Sequence, residues 1–238
     1  MVLLYLRYTL LGLAMSVVCV ISLLISLARP TDAANTFYAA KMMSFLGRWI
    51  MGIRSEIEGL EHLKDLPPGV LVSNHQSNLD IFIVGLLIPR RTVSVGKKSI
   101  LYIPVFGQMY WLSGNILIDR GNKKQIKTIM DKVVKVITTK KTIVWFMPEG
   151  TRSKGRGVQK FKKGAFITAL KSNTNVTPIC FSTLDKHLDC RRWNSGVVKI
   201  KILPTVDTSA YSLQTAGKLA DHCWQLVSNE VKALDNSY

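Results

Sequence analysis

Acidic residues are scarce in this sequence. Its 238 residues hold 15 Asp and Glu against 32 Lys and Arg, a formal net charge of +17. So unbalanced a chain calls for an anionic partner: nucleic acid, anionic lipid headgroups, or an acidic protein or substrate. Nucleic acid is the ordinary partner of a basic protein, but helix-turn-helix, zinc-finger and RNA-stacking signatures are all missing. A hydrophobic content of 47% is also high for that class. Cysteine is sparse as well. Cys19, Cys180, Cys190 and Cys223 show neither CxxC nor Cys/His ligand spacing. No metal site is expected from them, and they read as small core or surface residues in a reducing compartment. No internal repeat or low-complexity linker interrupts the chain. One sizeable domain with a real core is therefore expected, with room for an appendage.

Charge is missing altogether from residues 8–27. About 20 apolar residues at 1.5 Å each reach roughly 30 Å, the thickness of a hydrocarbon core. Arg7 and Arg29-Pro30 bound the run. It is long for a cleaved signal peptide and no small-x-small cleavage site follows, so a retained membrane helix is expected. Residues 35–54 then mix Phe37, Met42, Met43, Phe45, Leu46, Trp49, Ile50 and Ile53 with Lys41, Arg48 and Arg54. That composition suits a helix in the membrane interface, or an amphipathic helix packed on the domain. Positive charge is denser after the first helix than before it, which puts the rest of the chain on the cytoplasmic side if that helix spans. The expected division is a membrane-anchoring segment, 1–54, and a globular part, 55–238.

Within the globular part, residues 57–60 read as an edge strand and 70–73 as a buried central one. Residues 81–88 read as an apolar helix that Pro89 stops. Residues 91–96 read as a strand, followed by Lys97-Lys98. Tyr102, Phe106, Tyr110 and Trp111 fall in an apolar, helix-like stretch broken by Pro104 and Gly107; most are expected in the core and some against lipid. A strand is expected in Gly114–Arg120, and an amphipathic helix over 122–140, with Ile126, Ile129, Met130, Val133, Val134 and Ile137 on one face and solvated lysines on the other. Residues 142–146, 176–180 and 196–203 read as strands, 161–166 as the opening of a helix and 211–234 as the closing helix. Strands and helices alternating around one core imply an α/β fold.

Between the central strand and the apolar helix lies Ser73-Asn74-His75-Gln76-Ser77-Asn78-Leu79-Asp80, a histidine and an aspartate with four residues between them. Loops at the carboxyl ends of strands in α/β folds are where chemistry is usually mounted. Histidine takes up protons near neutral pH. An aspartate bonded to its other ring nitrogen would fix the tautomer and stabilise the imidazolium. Such a dyad has no nucleophile of its own, as expected when the substrate brings the hydroxyl. The spacing alone is also compatible with a polar loop in which Asn78 or Asp80 caps the helix.

Three further loops join it. Gly114-Asn115-Ile116-Leu117-Ile118-Asp119-Arg120, Pro148-Glu149-Gly150-Thr151-Arg152-Ser153 and Val176-Thr177-Pro178-Ile179 follow in order. Together with the His75–Asp80 block, the set resembles the glycerolipid acyltransferase family, most closely its bacterial membrane type. The resemblance implies a single acyltransferase domain with a mixed central sheet flanked by helices, preceded by a membrane-embedded helical segment. It implies transfer of a fatty acyl group from an acyl-coenzyme A or acyl-carrier-protein thioester to the sn-2 hydroxyl of a lysophosphatidic acid, with no cofactor and no metal. His75 would be the base and Asp80 its partner. Asn74, Gly114, Asp119, Arg120, Glu149, Gly150, Thr151 and Arg152 would bind substrate, Arg120 and Arg152 by gripping phosphate bidentately. Gly150 would permit close backbone approach. Glu149 would either position the glycerol backbone or hold Arg152. Lys97, Lys98, Lys162 and Lys163 are candidates for a wider phosphate field. The implied site is the bacterial inner membrane, cytoplasmic face, with the bilayer as a partner and nucleic acid not. Two departures from the family pattern stand out: Met147 where Phe usually precedes the proline, and Thr177 where an apolar residue is common. Another acceptor, such as glycerol 3-phosphate or a different lysophospholipid, and a non-catalytic membrane-anchored binding protein remain the alternatives.

Overall fold

A computed structural model describes residues 1–119, 121 and 123–238, the side chains of 123–126 lying outside that description. The chain runs α1 (Val2–Ala28), α2 (Ala33–Met51), β1 (Ile53–Glu58), β2 (Val70–Ser73), α3 (Asp80–Leu87), β3 (Thr92–Lys97), α4 (Phe106–Leu112) and β4 (Ile116–Ile118). It continues through α5 (Lys123–Lys140), β5 (Ile143–Phe146), α6 (Gly164–Ser172), β6 (Val176–Phe181), α7 (Leu184–His187), β7 (Gly196–Ile202) and α8 (Ala216–Asn236). The seven-stranded sheet is mixed. Two compact units emerge: Met1–Arg54 with Asn78–Ile126 and Leu188–Val197, and Ser55–Ser77 with Lys127–His187 and Val198–Tyr238.

In the second unit β2 lies in parallel between β5 and β6, and β7 runs antiparallel beside β6. All four residues of β2 are buried, as expected of a strand paired on both edges and covered on both faces. Parallel pairing brings the carboxyl ends of β2 and β5 side by side, with Val72 opposite Phe146. The loops after these strands therefore emerge together. α5 turns Met130, Val133 and Ile137 inward, while Ile129 and Val134 are half-buried; Ile126 lies among the side chains not described.

In the first unit α1 extends well beyond the apolar run, to Val2, and ends just before Pro30. Asp32 opens α2 by accepting the Ala34 amide at 2.9 Å, and Gly52, at φ +66°, closes it in the left-handed conformation that favours glycine. Ile53 and Arg54, expected in this helix, are instead the first residues of β1. α2 packs on α3: Gly47 lies against the Phe82 ring, Gly85 against the Ala40 carbonyl, and Ser44 Oγ donates to the Phe82 carbonyl. Its other side leaves Tyr38, Phe45 and Trp49 exposed.

Four aromatics were expected mainly in the core, and none is there. Tyr102 and Trp111 are exposed, Phe106 and Tyr110 half-buried. The stretch is a short 3-10 turn and the short helix α4 and has too few residues to enclose them. The closing helix starts at Ala216 rather than 211, after a turn in which Thr215 Oγ1 accepts the Ser212 amide at 2.8 Å.

Arg7, read from sequence as the outer limit of the apolar run, is 5% exposed. Its guanidinium donates to the carbonyls of Cys190, Arg192 and Trp193 at 3.0, 2.6 and 2.5 Å and to Ser195 Oγ at 2.8 Å. A five-donor fork is the one side chain that can serve so many acceptors at once. Arg7→Met should leave these acceptors unmet in a buried place, a loss on the order of 3 kcal/mol. A clearly lower apparent melting temperature in detergent is the expected result. Arg7→Lys should recover only part of it, since one ammonium cannot cover the same spread.

Candidate active site

The second unit builds a loop cluster at the ends of β2 and β5. His75 is half-buried and lies two residues beyond the end of β2. Its amide donates to Glu149 Oε1 at 2.7 Å, and its carbonyl accepts the Ser153 amide at 2.8 Å. Next to it, the Gln76 carbonyl accepts the Lys154 amide at 3.2 Å. Two loops distant in sequence are thus laced by their main chains, with the histidine at the crossing. Glu149 is 2% exposed, and its second oxygen, Oε2, accepts the Gln159 amide at 2.9 Å. Its carboxylate ties three segments together.

The neighbours of His75 are also fixed. Asn74 pairs with Phe181 as a strand residue would, Oδ1 accepting the amide and Nδ2 donating to the carbonyl, both at 2.9 Å. Gln76 holds the turn after β6: Nε2 donates to the Ser182 carbonyl at 2.8 Å and Oε1 accepts the Leu184 amide at 2.9 Å. Buried amides satisfied at both ends cost little and fix a unique arrangement. Gln76, Ser153 and Gln159 were not singled out from sequence. Two of them lie inside quoted blocks, but nothing in residue order tells a scaffold amide from a ligand-binding one. The cavity lined by Asn74, Gln76, Glu149, Ser153 and Thr183 has room for about one water and is no place for a substrate.

Gly150, at φ +71°, turns the loop away from Glu149, and a Cβ there would come within 2.9 Å of Lys162 Nζ. Thr151, Arg152, Lys162 and Lys163 are exposed. Phe146 is buried and Met147 half-buried, so the inverted order of these apolar residues is accommodated beneath the turn. Burial pushes the Cys180 thiol up and the Cys223 thiol up to about 12, so neither is a thiolate near neutral pH.

The turn that Gln76 holds is tied from the other side by Asp235, whose oxygens accept the Thr183 amide and hydroxyl, both at 2.6 Å. Burial alone would raise the Asp235 pKa, but these bonds and the Lys186 ammonium outweigh it and hold the carboxyl below its ordinary 3.8. A depressed folded pKa gives stability that is complete above the ordinary carboxylate range and lost as pH falls through the lowered value. The melting-temperature deficit of Asp235→Asn should accordingly be full at pH 6 and shrink below about pH 4.

In the first unit Asp80 is the first residue of α3 and 2% exposed. It does not cap the helix; Leu79 occupies that position without a side-chain cap. β3 and β4 are parallel, with Lys97 opposite Ile118, so Lys97 and Lys98 leave one strand end and Asp119 the other. Asn115 organises the approach, accepting from the Ser94 amide at 2.8 Å and donating to the Tyr110 carbonyl at 3.0 Å. Gly114, at φ +85°, supplies the turn before it. Asp119 Oδ1 accepts the Gly121 amide at 3.1 Å. Arg120 lies outside the described residues.

Comparison with known proteins gives consistent results. Residues 54–182 match the family described as Acyltransferase. The 1-acyl-sn-glycerol-3-phosphate acyltransferases of Salmonella typhimurium and Escherichia coli are each 34% identical over 218 residues, 92% of this chain and 89% of theirs. The crystal structure of the 1-acyl-sn-glycerophosphate acyltransferase from Thermotoga maritima superposes with a TM-score of 0.78 at 20% identity, covering 100% of this chain and 96% of that one, and shows the same fold.

Proposed function

The chain belongs to the acyltransferase family, and from that premise we propose that it acylates the sn-2 hydroxyl of 1-acyl-sn-glycerol 3-phosphate, making phosphatidate for phospholipid synthesis. The donor is an acyl-coenzyme A or acyl-carrier-protein thioester. The observation that carries this reading is the anchorage of His75: both its main-chain groups are bonded to the Glu149–Ser153 loop, which holds the histidine rigidly at the end of the central strand. Catalytic geometry demands such support.

His75 takes the proton of the acceptor hydroxyl as its oxygen attacks the thioester carbonyl. The tetrahedral intermediate collapses, the carbon–sulfur bond breaks, and the departing thiolate receives the proton from the imidazolium. Asp80 orients the ring and stabilises its charged form. Arg120, Arg152, Lys97 and Lys98 supply positive charge for the substrate phosphate, with Gly114, Asp119, Gly150 and Thr151 shaping the loops that meet it. Asn74 and Glu149 serve by fixing the backbone around His75. No cofactor takes part.

α1 is the membrane element of this reading, 27 residues with a mean hydropathy of 2.7 in its most apolar window. Both of its ends are tied to the same compact unit. Arg7 holds the 190–195 loop, and at the other end Ser26 Oγ meets Ser113 Oγ at 3.1 Å while the Thr31 amide donates to Leu112 at 2.7 Å. A helix tied at both ends in this way suits embedding in one leaflet better than crossing alone. Thioester donors are cytosolic, which favours the cytoplasmic face of the inner membrane.

The test is acceptor-dependent phosphatidate formation by the purified protein in lipid, with lysophosphatidate, glycerol 3-phosphate and a second lysophospholipid compared. Turnover highest with lysophosphatidate is expected. Preference for another acceptor would retain the chemistry and replace the substrate; no thioester consumption with any acceptor would remove the enzymatic reading.

A further inference from the structure

Trp193 is 82% exposed, the most exposed of the tryptophans. It stands at the tip of the segment Leu188–Val197, directly after Arg191 and Arg192, and all three side chains face solvent. A flexible loop could fold such a residue away. This one cannot, because its main chain is clamped from behind. Arg7 takes the carbonyls of Cys190, Arg192 and Trp193, while Ser195 donates from its amide to Gly52 at 2.9 Å and from Oγ to Met51.

The clamps join the loop to two particular places: the start of α1 and the end of α2. At the first, Val2, Tyr5, Leu6 and Tyr8 are exposed; at the second, Phe45 and Trp49, the latter 77% exposed. Apolar and amphipathic aromatic side chains are thus collected around one junction, with arginines at its edge. Asp189 pairs with both arginines, Arg191 Nε at 2.8 Å and Arg192 Nε at 3.4 Å, which leaves one positive charge in surplus. Tryptophan and tyrosine beside Arg are the side-chain types that collect at the headgroup level of a bilayer.

We propose that the Leu188–Val197 loop is a membrane-contact element, with Trp193 inserted at the headgroup–acyl boundary and Arg191 and Arg192 on anionic lipid headgroups. The inference rests on the reading of α1 as membrane-embedded and adds a second, rigid contact to it. Preorganisation by Arg7 means that little conformational freedom is lost on docking. The occupant is a lipid surface rather than an acidic protein because the patch continues into the apolar flank of α1, which a polar partner would not cover.

The experiment uses the full chain reconstituted in vesicles of phosphatidylcholine and phosphatidylglycerol with brominated acyl chains. The emission removed by Trp193→Phe is the signal of Trp193. It is expected to be quenched by the brominated chains and shielded from aqueous iodide. Replacing the arginines in Arg191→Ala and Arg192→Ala should lower the inserted-to-exposed ratio about fivefold each in vesicles containing phosphatidylglycerol, and little in pure phosphatidylcholine. Activity in detergent micelles verifies that the variants are folded. Iodide-accessible, bromine-insensitive Trp193 in protein that still floats with vesicles would overturn the proposal and leave the α1 reading standing. Protein that does not float would remove that reading and the proposal with it. If an acidic carrier protein, and not lipid, shields Trp193 from iodide, the loop is a protein-docking element and the proposal is overturned.

Discussion

His75→Ala is expected to abolish acyl transfer, lowering kcat by about 10²–10⁴-fold with the protein still folded and membrane-bound. The expectation of a folded variant comes from the way His75 is held. Two bonds of its main chain, from its amide to Glu149 and to its carbonyl from Ser153, survive loss of the imidazole. The remaining activity would reflect substrate positioning, which the variant retains. Asp80→Asn should follow with a smaller loss, because an amide of the same shape still fills the buried first turn of α3 but cannot stabilise an imidazolium. Phosphatidate formation from a radiolabelled thioester, with melting temperature and vesicle flotation as controls, measures both. Equal turnover in wild type and His75→Ala would remove the histidine from the mechanism.

Much of this fold was legible because its signals are local. Pro89 stops α3, and the apolar run Val70-Leu71-Val72 with Ser73 makes the wholly buried β2. The lysine-backed periodicity of 122–140 reappears as α5 with Met130, Val133 and Ile137 inside. What escaped was set by tertiary contacts. Phe161 was expected to open a helix, yet α6 begins at Gly164, since the Lys162 amide is taken by the Pro148 carbonyl at 2.9 Å in the loop beside it. Arg7 showed only as the limit of the apolar run, because no feature of residues 1–10 reveals that a loop 183 or more positions away will supply its acceptors. The same holds for the site. The order of the blocks pointed to the loops after β2 and β5, but the residues that fix those loops to each other are ordinary amides and carboxylates until their partners are seen.

Glu149 carries the second large effect. Sequence left it two roles: holding the glycerol backbone or holding Arg152. The geometry adds a third, with one oxygen on the His75 amide and the other on that of Gln159, in a side chain 2% exposed. Glu149→Ala strips an acceptor from two part-buried amides at once. At about 1–3 kcal/mol for each unmet group, the loss is large on the scale of a domain's stability. Glu149→Gln is the more informative change. It keeps the volume and one accepting oxygen but sets an NH₂ against the other amide, so one bond becomes a repulsion. A carboxylate that acts through His75 predicts a fall in kcat with KM for lysophosphatidate nearly unchanged, since the acceptor still binds and only the base is displaced. A carboxylate that touches the glycerol predicts the reverse, a raised KM with kcat better preserved. Rescue offers an independent discrimination: Glu149→Asp retains both oxygens on a shorter stem and can restore one amide contact but not both, so activity between wild type and Glu149→Gln is expected from an anchoring role. A KM-dominated defect in all three variants would return Glu149 to the substrate.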